Sequence, residues 1–131
     1  MEYVNIHNVG GKKEQSGLLI SCKYPIAPIG EKVFAVLGSD RIMYIPIDSE
    51  LGKEYAVKVV KQNAWNVKTV KIGIYHRKRK SIRYGIPRSF ARALNIKKGQ
   101  KVLVIGRGDT LEVIPTNIAL EKIGTFKEAF L

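Results

Sequence analysis

The sequence predicts a mainly β fold with little helix, and three observations carry that prediction. Apolar residues recur with period two through much of the chain, β-branched and aromatic residues crowd into short runs, and Gly, Ser, Asp and Pro separate those runs. The chain opens on a short strand, followed by a glycine-rich polar loop over residues 10–17. That loop is a flexible turn rather than a phosphate cradle, because no Gly-Lys-Ser/Thr follows. Residues 32–37 and 41–46 form a hairpin about Gly38-Ser39-Asp40. Residues 55–60 (Tyr-Ala-Val-Lys-Val-Val) read as a strand on β propensity. Residues 67–74 alternate apolar residues with Lys and Thr, the pattern of a strand with one buried face and one basic, solvated face. Residues 81–86, 101–105 and 110–114 complete the strands, the last two joined by the turn at residues 106–109.

Two helices are expected. Residues 87–94 begin with proline in the first turn, place Phe90, Ala93 and Leu94 on one face and stop at Asn95, a residue that tolerates the left-handed cap. Residues 117–131 are helical in part, with Gly124 against it.

Composition narrows the class. The chain has 131 residues, 45% hydrophobic and 26% charged, ordinary globular usage for one domain or two very small ones. Cys22 is its only cysteine, which excludes an intrachain disulfide and a cysteine-based zinc cage and makes a reducing, cytoplasmic setting the expectation. Met1-Glu2-Tyr3 leads into no apolar targeting segment and no apolar run is long enough to span a bilayer, so neither secretion nor membrane insertion is expected.

The formal net charge of +12 has an address. Residues 55–108 carry 15 basic residues and no acidic one, whereas residues 1–54 and 109–131 are each slightly acidic. Such a block has no local counter-charges, and it projects a field that attracts polyanions. A membrane-surface role would require a basic amphipathic helix, and this block reads as strands.

Within this block lies Lys80-Ser81-Ile82-Arg83-Tyr84-Gly85-Ile86-Pro87-Arg88-Ser89-Phe90-Ala91-Arg92-Ala93-Leu94-Asn95-Ile96-Lys97-Lys98-Gly99-Gln100-Lys101-Val102. It resembles the AbrB/MazE/SpoVT swapped-hairpin family, whose pattern runs Gly-Arg-x-x-Ile-Pro-Lys-x-Leu-Arg-x-x-Leu-Gly-Ile-Lys-x-Gly-Asp-x-Val. Arg83, Ile86, Pro87, Arg88, Phe90, Leu94, Ile96, Lys97, Gly99 and Val102 match. Ile82 stands for the family glycine, Ala91 for its arginine with Arg92 one position later, and Gln100 for its aspartate. The resemblance covers residues 68–115 and implies a small barrel-like sheet completed by exchange of hairpins in a homodimer, with duplex DNA bound by basic strands and loops. A core of four short strands and one short helix is small, so pairing with a second copy or with the rest of the chain is expected on physical grounds as well.

The chain accordingly divides into a β-rich N-terminal region over 1–66, an AbrB-like DNA-binding domain over 67–115 and a partly helical tail over 116–131. The first region carries a partial echo of the second, since strand and Ile-Pro recur at Ile45-Pro46 and Ile86-Pro87; a degenerate repeat lacking the helix is one reading.

The expected function is DNA binding by an AbrB-like transcriptional regulator. Arg77, Lys78, Arg79 and Lys80 lie in a loop from which long cationic side chains reach phosphates, releasing counterions and setting affinity. Arg83 and Arg88, on ordered elements, are the candidates for reading bases, with Arg92 carried over from the resemblance. Lys97, Lys98, Lys101 and Arg107 are peripheral phosphate contacts or plain solvated charges. Trp65, Tyr75 and Tyr84 raise stacking on single strands or RNA, although core or interface positions are the plainer reading for each. A chromatin-like packer, and an antitoxin whose tail residues Ile118, Leu120, Ile123, Phe126, Phe130 and Leu131 hold a toxin, are the alternatives. Neither His7 nor His76 neighbours a nucleophile or carboxylate pattern, so no enzyme activity, metal or cofactor is expected.

Overall fold

The structure is a computed structural model describing residues 2–11, 17–76, 78 and 80–116. Residues 12–16 and the expected tail helix over 117–131 lie outside the described residues. The chain is mainly β, with two antiparallel sheets and two helices.

Six strands form the larger sheet. They are β1 (Glu2–Asn8), β3 (Lys32–Leu37), β4 (Ile42–Pro46), β5 (Val67–Lys71), β8 (Lys101–Arg107) and β9 (Thr110–Pro115), in the order β1-β8-β9-β4-β3-β5. The smaller sheet has β2 (Leu19–Cys22), β7 (Ser81–Gly85) and β6 (Gly73–His76), in the order β2-β7-β6. The expected hairpins are present: β3 pairs with β4 from Leu37↔Ile42 to Val33↔Pro46, and β8 pairs with β9 across the Gly108 turn. The run predicted as one strand over 67–74 is two strands in different sheets, broken at the buried Ile72. There the backbone turns aside to exchange hydrogen bonds with Gly30 and Glu31, both 2.9 Å.

The main core fills the space between the sheets. Val33, Ala35, Leu37, Ile42, Tyr44, Val102, Val104, Leu111 and Val113 from the large sheet meet Ile20, Cys22, Ile82 and Tyr84 from the small one. Helix α2 (Arg88–Ala93) closes one end with Phe90, Ala91 and Leu94. Of the face predicted for this helix, Phe90 and Leu94 are buried but Ala93 is exposed and Ala91 takes its place. Strands from both sides of residue 66 therefore share one sheet and one core. Pairing of β9 with β4 supplies within the chain the partner that a hairpin exchange would supply between chains. Among the described strands no barrel closes.

The largest departure from expectation is residues 55–60, which belong to helix α1 (Glu50–Gln62) and not to a strand. Local end signals and tertiary packing outweigh the β propensity of Val57, Val59 and Val60. Ser49 caps the helix, its hydroxyl accepting from the Gly52 amide at 3.0 Å while donating to the Pro46 carbonyl at 2.7 Å. Asn63 ends it in the left-handed region at φ 49°. Tyr55, Ala56 and Val59 then lie against Phe34, Val36, Ile45 and Val67, a second small core on the far face of the large sheet. Burial on both faces explains why β3 is apolar almost throughout. The helix also overturns the expectation that the first Ile-Pro has no room for one: strand, Ile-Pro, helix, strand is the order in both halves.

Candidate nucleic-acid interface

The small sheet presents its outer face to solvent because β7 alternates strictly. Ile82 and Tyr84 point into the core, so Arg83 between them must point out. Arg83 lies opposite Ser21 on β2 and Gly73 on β6. Its side chain lies across Gly73: a Cβ built there would come within 2.7 Å of a guanidinium nitrogen and 3.0 Å of Nε. The bare glycine backbone is what lets the guanidinium rest on the sheet. Gly73→Ala is expected to leave stability within about 0.5 kcal/mol, because only the end of a flexible side chain must give way. The Arg83 Nε resonance should nevertheless shift; an unmoved resonance contradicts the contact.

Lys78 and Lys80 sit in the β6–β7 turn and are exposed, with Lys80 in the left-handed region at φ 54°. Arg77 and Arg79, nominated with them, lie outside the described residues. Arg88 and Arg92 occupy the exposed side of α2, just past the other end of β7. Ala91, at the position of the family arginine, is fully buried, whereas Arg92 is in solvent. Lys80, Arg83 and Arg88 thus follow one another along β7 and its two flanks. Five strand residues span roughly 17 Å. Among the described residues none of these cations has a carboxylate within ion-pair distance.

The acids lie elsewhere. Every acidic residue among the described ones belongs to α1, to the strands of the large sheet or to the connections next to them, while the small sheet and α2 carry none. Asp40 and Glu112 hold Arg41 at 2.9 and 3.1 Å, and Glu2 meets Arg107 at 3.3 Å.

Sequence reasoning missed two cations. Lys23 follows β2 and reaches the same region as Lys78 and Lys80, all three lining one depression with Pro25 and Ile82. It lies outside the basic block, and only the long-range pairing of β2 with β7 brings it there. Lys68 projects from β5 toward α2, its ammonium 6.0 Å from the centre of the Phe90 ring.

The aromatics divide. Tyr84 is fully buried, as its plainer reading required: its hydroxyl donates to the Tyr24 carbonyl and accepts from the Ile26 amide at 3.2 Å, and its ring lies 5.4 Å from that of Tyr44. Tyr44 donates to the Gly85 carbonyl at 2.8 Å. Burial raises both phenols well above their ordinary pKa, so they act as neutral donors. Trp65, by contrast, is 72% exposed in the turn between α1 and β5, so of its two plainer readings, core or interface, the core one does not hold. The Tyr75 side chain and that of His76 are outside the described ones.

Of the remaining reactive side chains that are described, Cys22 is buried and His7 is half-buried on β1. The Tyr3 hydroxyl lies 2.7 Å from His7 Nε2, and burial lowers the imidazole below its usual value. Burial raises the Cys22 thiol, partly offset by a backbone hydrogen bond at Tyr24. Among the described residues no group of three or more His, Cys, Asp or Glu could hold a metal ion, and no helix is long and apolar enough to cross a membrane. No family model matches the chain, and no curated protein or solved structure matches it significantly.

Proposed function

We propose that this chain binds duplex DNA through the small sheet, its β6–β7 turn and α2, as an AbrB-like regulator does. The observation that carries the reading is a set of exposed cations on β7 and the segments at its two ends, Lys78 and Lys80 in the turn before it, Arg83 on its outer face and Arg88 and Arg92 in the helix after it, with no acid among the described residues of the small sheet or α2. Each strand of a duplex carries one phosphate per roughly 3.4 Å of axis, so a span of about 17 Å runs past about five phosphates of one strand. Lys78 and Lys80 supply affinity from a turn; Arg83, supported on Gly73 and flanked by two core residues, is the side chain held best for a directed contact with a base edge. A homodimer belongs to the same reading. Its support is the edge strand β1, which leaves Val4 and Ile6 60% and 56% exposed, and not the hairpin exchange of the family, whose place the β9–β4 pairing takes within the chain. The role is binding and not catalysis.

A fluorescence-anisotropy titration with a random duplex at low salt tests it. Dissociation constants of about 1 µM or below are expected, since non-specific binding of basic proteins reaches roughly 1–100 µM even at physiological salt. Absence of binding to any duplex at low salt overturns the reading. The exposure of Trp65 favours one second reading, contact with single-stranded RNA by stacking. In that case Trp65→Ala weakens binding to an unstructured RNA and leaves the duplex titration unchanged.

A further inference from the structure

At the β6–β7 end of the small sheet the core side opens into an apolar cleft of about 280 Å³. Ile82 is its floor, and Ile29 and Ile74 stand at its sides, 47% and 43% exposed although both are branched and apolar. The exchange of backbone hydrogen bonds between Gly30, Glu31 and Ile72 holds Ile29 beside β6, and β6 pairs with β7 through Ile74 and Ile82. These bonds hold three of the apolar lining residues together before a ligand arrives, the usual condition of a small-molecule site.

One rim of this cleft is cationic. Lys80 and Ile82 line both the apolar cleft and the neighbouring depression that contains Lys23 and Lys78. None of the three lysines has a carboxylate within ion-pair distance among the described residues. We infer that the cleft binds a medium-chain aliphatic anion, its tail against Ile29, Ile74 and Ile82 and its carboxylate toward Lys80, Lys78 and Lys23. A nucleobase fits the cleft poorly: its polar edges need partners, and among the described lining residues the one side-chain hydroxyl is that of Ser81. A neutral alkyl chain would leave the lysines unused, and a cationic one would be repelled by them. Because Lys78 and Lys80 also belong to the proposed DNA surface, a bound carboxylate occupies cations that phosphates would otherwise take, so the ligand and DNA compete. Binding of the anion stands by itself; only the competition rests on the DNA reading.

The test uses the full chain and octanoate, with octylamine and 1-octanol as charge controls, followed by amide and methyl NMR at low salt without DNA. Octanoate is expected to bind saturably, at least about 10-fold tighter than either control, with the largest shifts at Ile29, Ile74, Ser81 and Ile82. Ile74→Asp, at a half-exposed position that leaves folding intact, should weaken octanoate at least 10-fold. Lys80→Asn, which keeps a residue that tolerates the left-handed backbone, should abolish the preference for octanoate over octanol. Octylamine binding as tightly as octanoate, shifts spread evenly over the surface, or Ile74→Asp without effect would each overturn the inference. Octanoate raising the apparent dissociation constant for duplex DNA in the original chain, but not in Lys80→Asn, then reports the competition separately.

Discussion

Alanine at Gly52 is expected to destabilise the protein by about 3 kcal/mol, although helix propensity alone would favour alanine there by roughly 1 kcal/mol. Gly52 lies in the first turn of α1, where the chain has just left β4 and folds back over its own end. A Cβ at this position would run into the Pro46 carbonyl oxygen and come within 2.6 Å of the Ile47 carbonyl oxygen. Both obstacles are backbone, and Pro46 is fixed by its place opposite Val33 in the sheet, so neither can swing aside as a long side chain would. Relief requires moving the helix start, which breaks the Ser49 cap and lifts Tyr55, Ala56 and Val59 off the large sheet. Gly85→Ala is the matched control, because nothing lies within 4 Å of a Cβ there. Urea unfolding followed by far-UV circular dichroism should show a large fall in midpoint for Gly52→Ala and a change within about 0.5 kcal/mol for Gly85→Ala. Equal midpoints for the two variants would contradict the packing of α1.

The second large effect concerns binding. Replacing Lys78, Arg83 and Arg88 together is expected to weaken duplex DNA binding on the order of 100-fold at moderate salt, on every sequence tested, without loss of stability, since all three are exposed. The informative control removes the same charge elsewhere. Lys53, Lys58 and Lys61 are exposed on α1, across the large sheet from the small one, and their replacement with Gln lowers the net charge equally. If net charge alone draws DNA to the protein, the two triple variants lose affinity alike. If the surface built on β7 makes the contacts, only the first does.

What the sequence reveals and what it conceals follow from the range of the interactions involved. The β3–β4 and β8–β9 hairpins and α2 are legible because turn residues, alternation and a proline at the helix start act within a few residues. Arg83 is legible in the same way: alternation with Ile82 and Tyr84 assigns it to the outer face before any partner is known. Helix α1 is not, because its valines favour strand and the deciding factors are a serine cap and a sheet surface contributed by β3, β4 and β5. Strand β2 is concealed by its length of four residues and its dependence on β7 for pairing. The same pairing makes the contribution of Lys23 to the site unreadable, and the resting place of Arg83 on Gly73 is a matter of cross-strand register that no local pattern encodes. The distribution of acids needed no register at all. Their absence from residues 55–108 leaves the small sheet and α2 without a described acid, because the elements that carry the described flanking acids gather on and around the large sheet.

The central claim is that the cations along β7 and its flanks meet phosphates. Its most direct test is the dependence of duplex affinity on salt, measured as log K against log salt for the original chain and for the two triple variants. About five phosphate contacts predict a slope near −4 to −5 for the original chain, a slope shallower by about 2 to 3 for the Lys78, Arg83, Arg88 variant, and an unchanged slope for the α1 variant. A slope near zero in the original chain, or equal flattening in both variants, would contradict it.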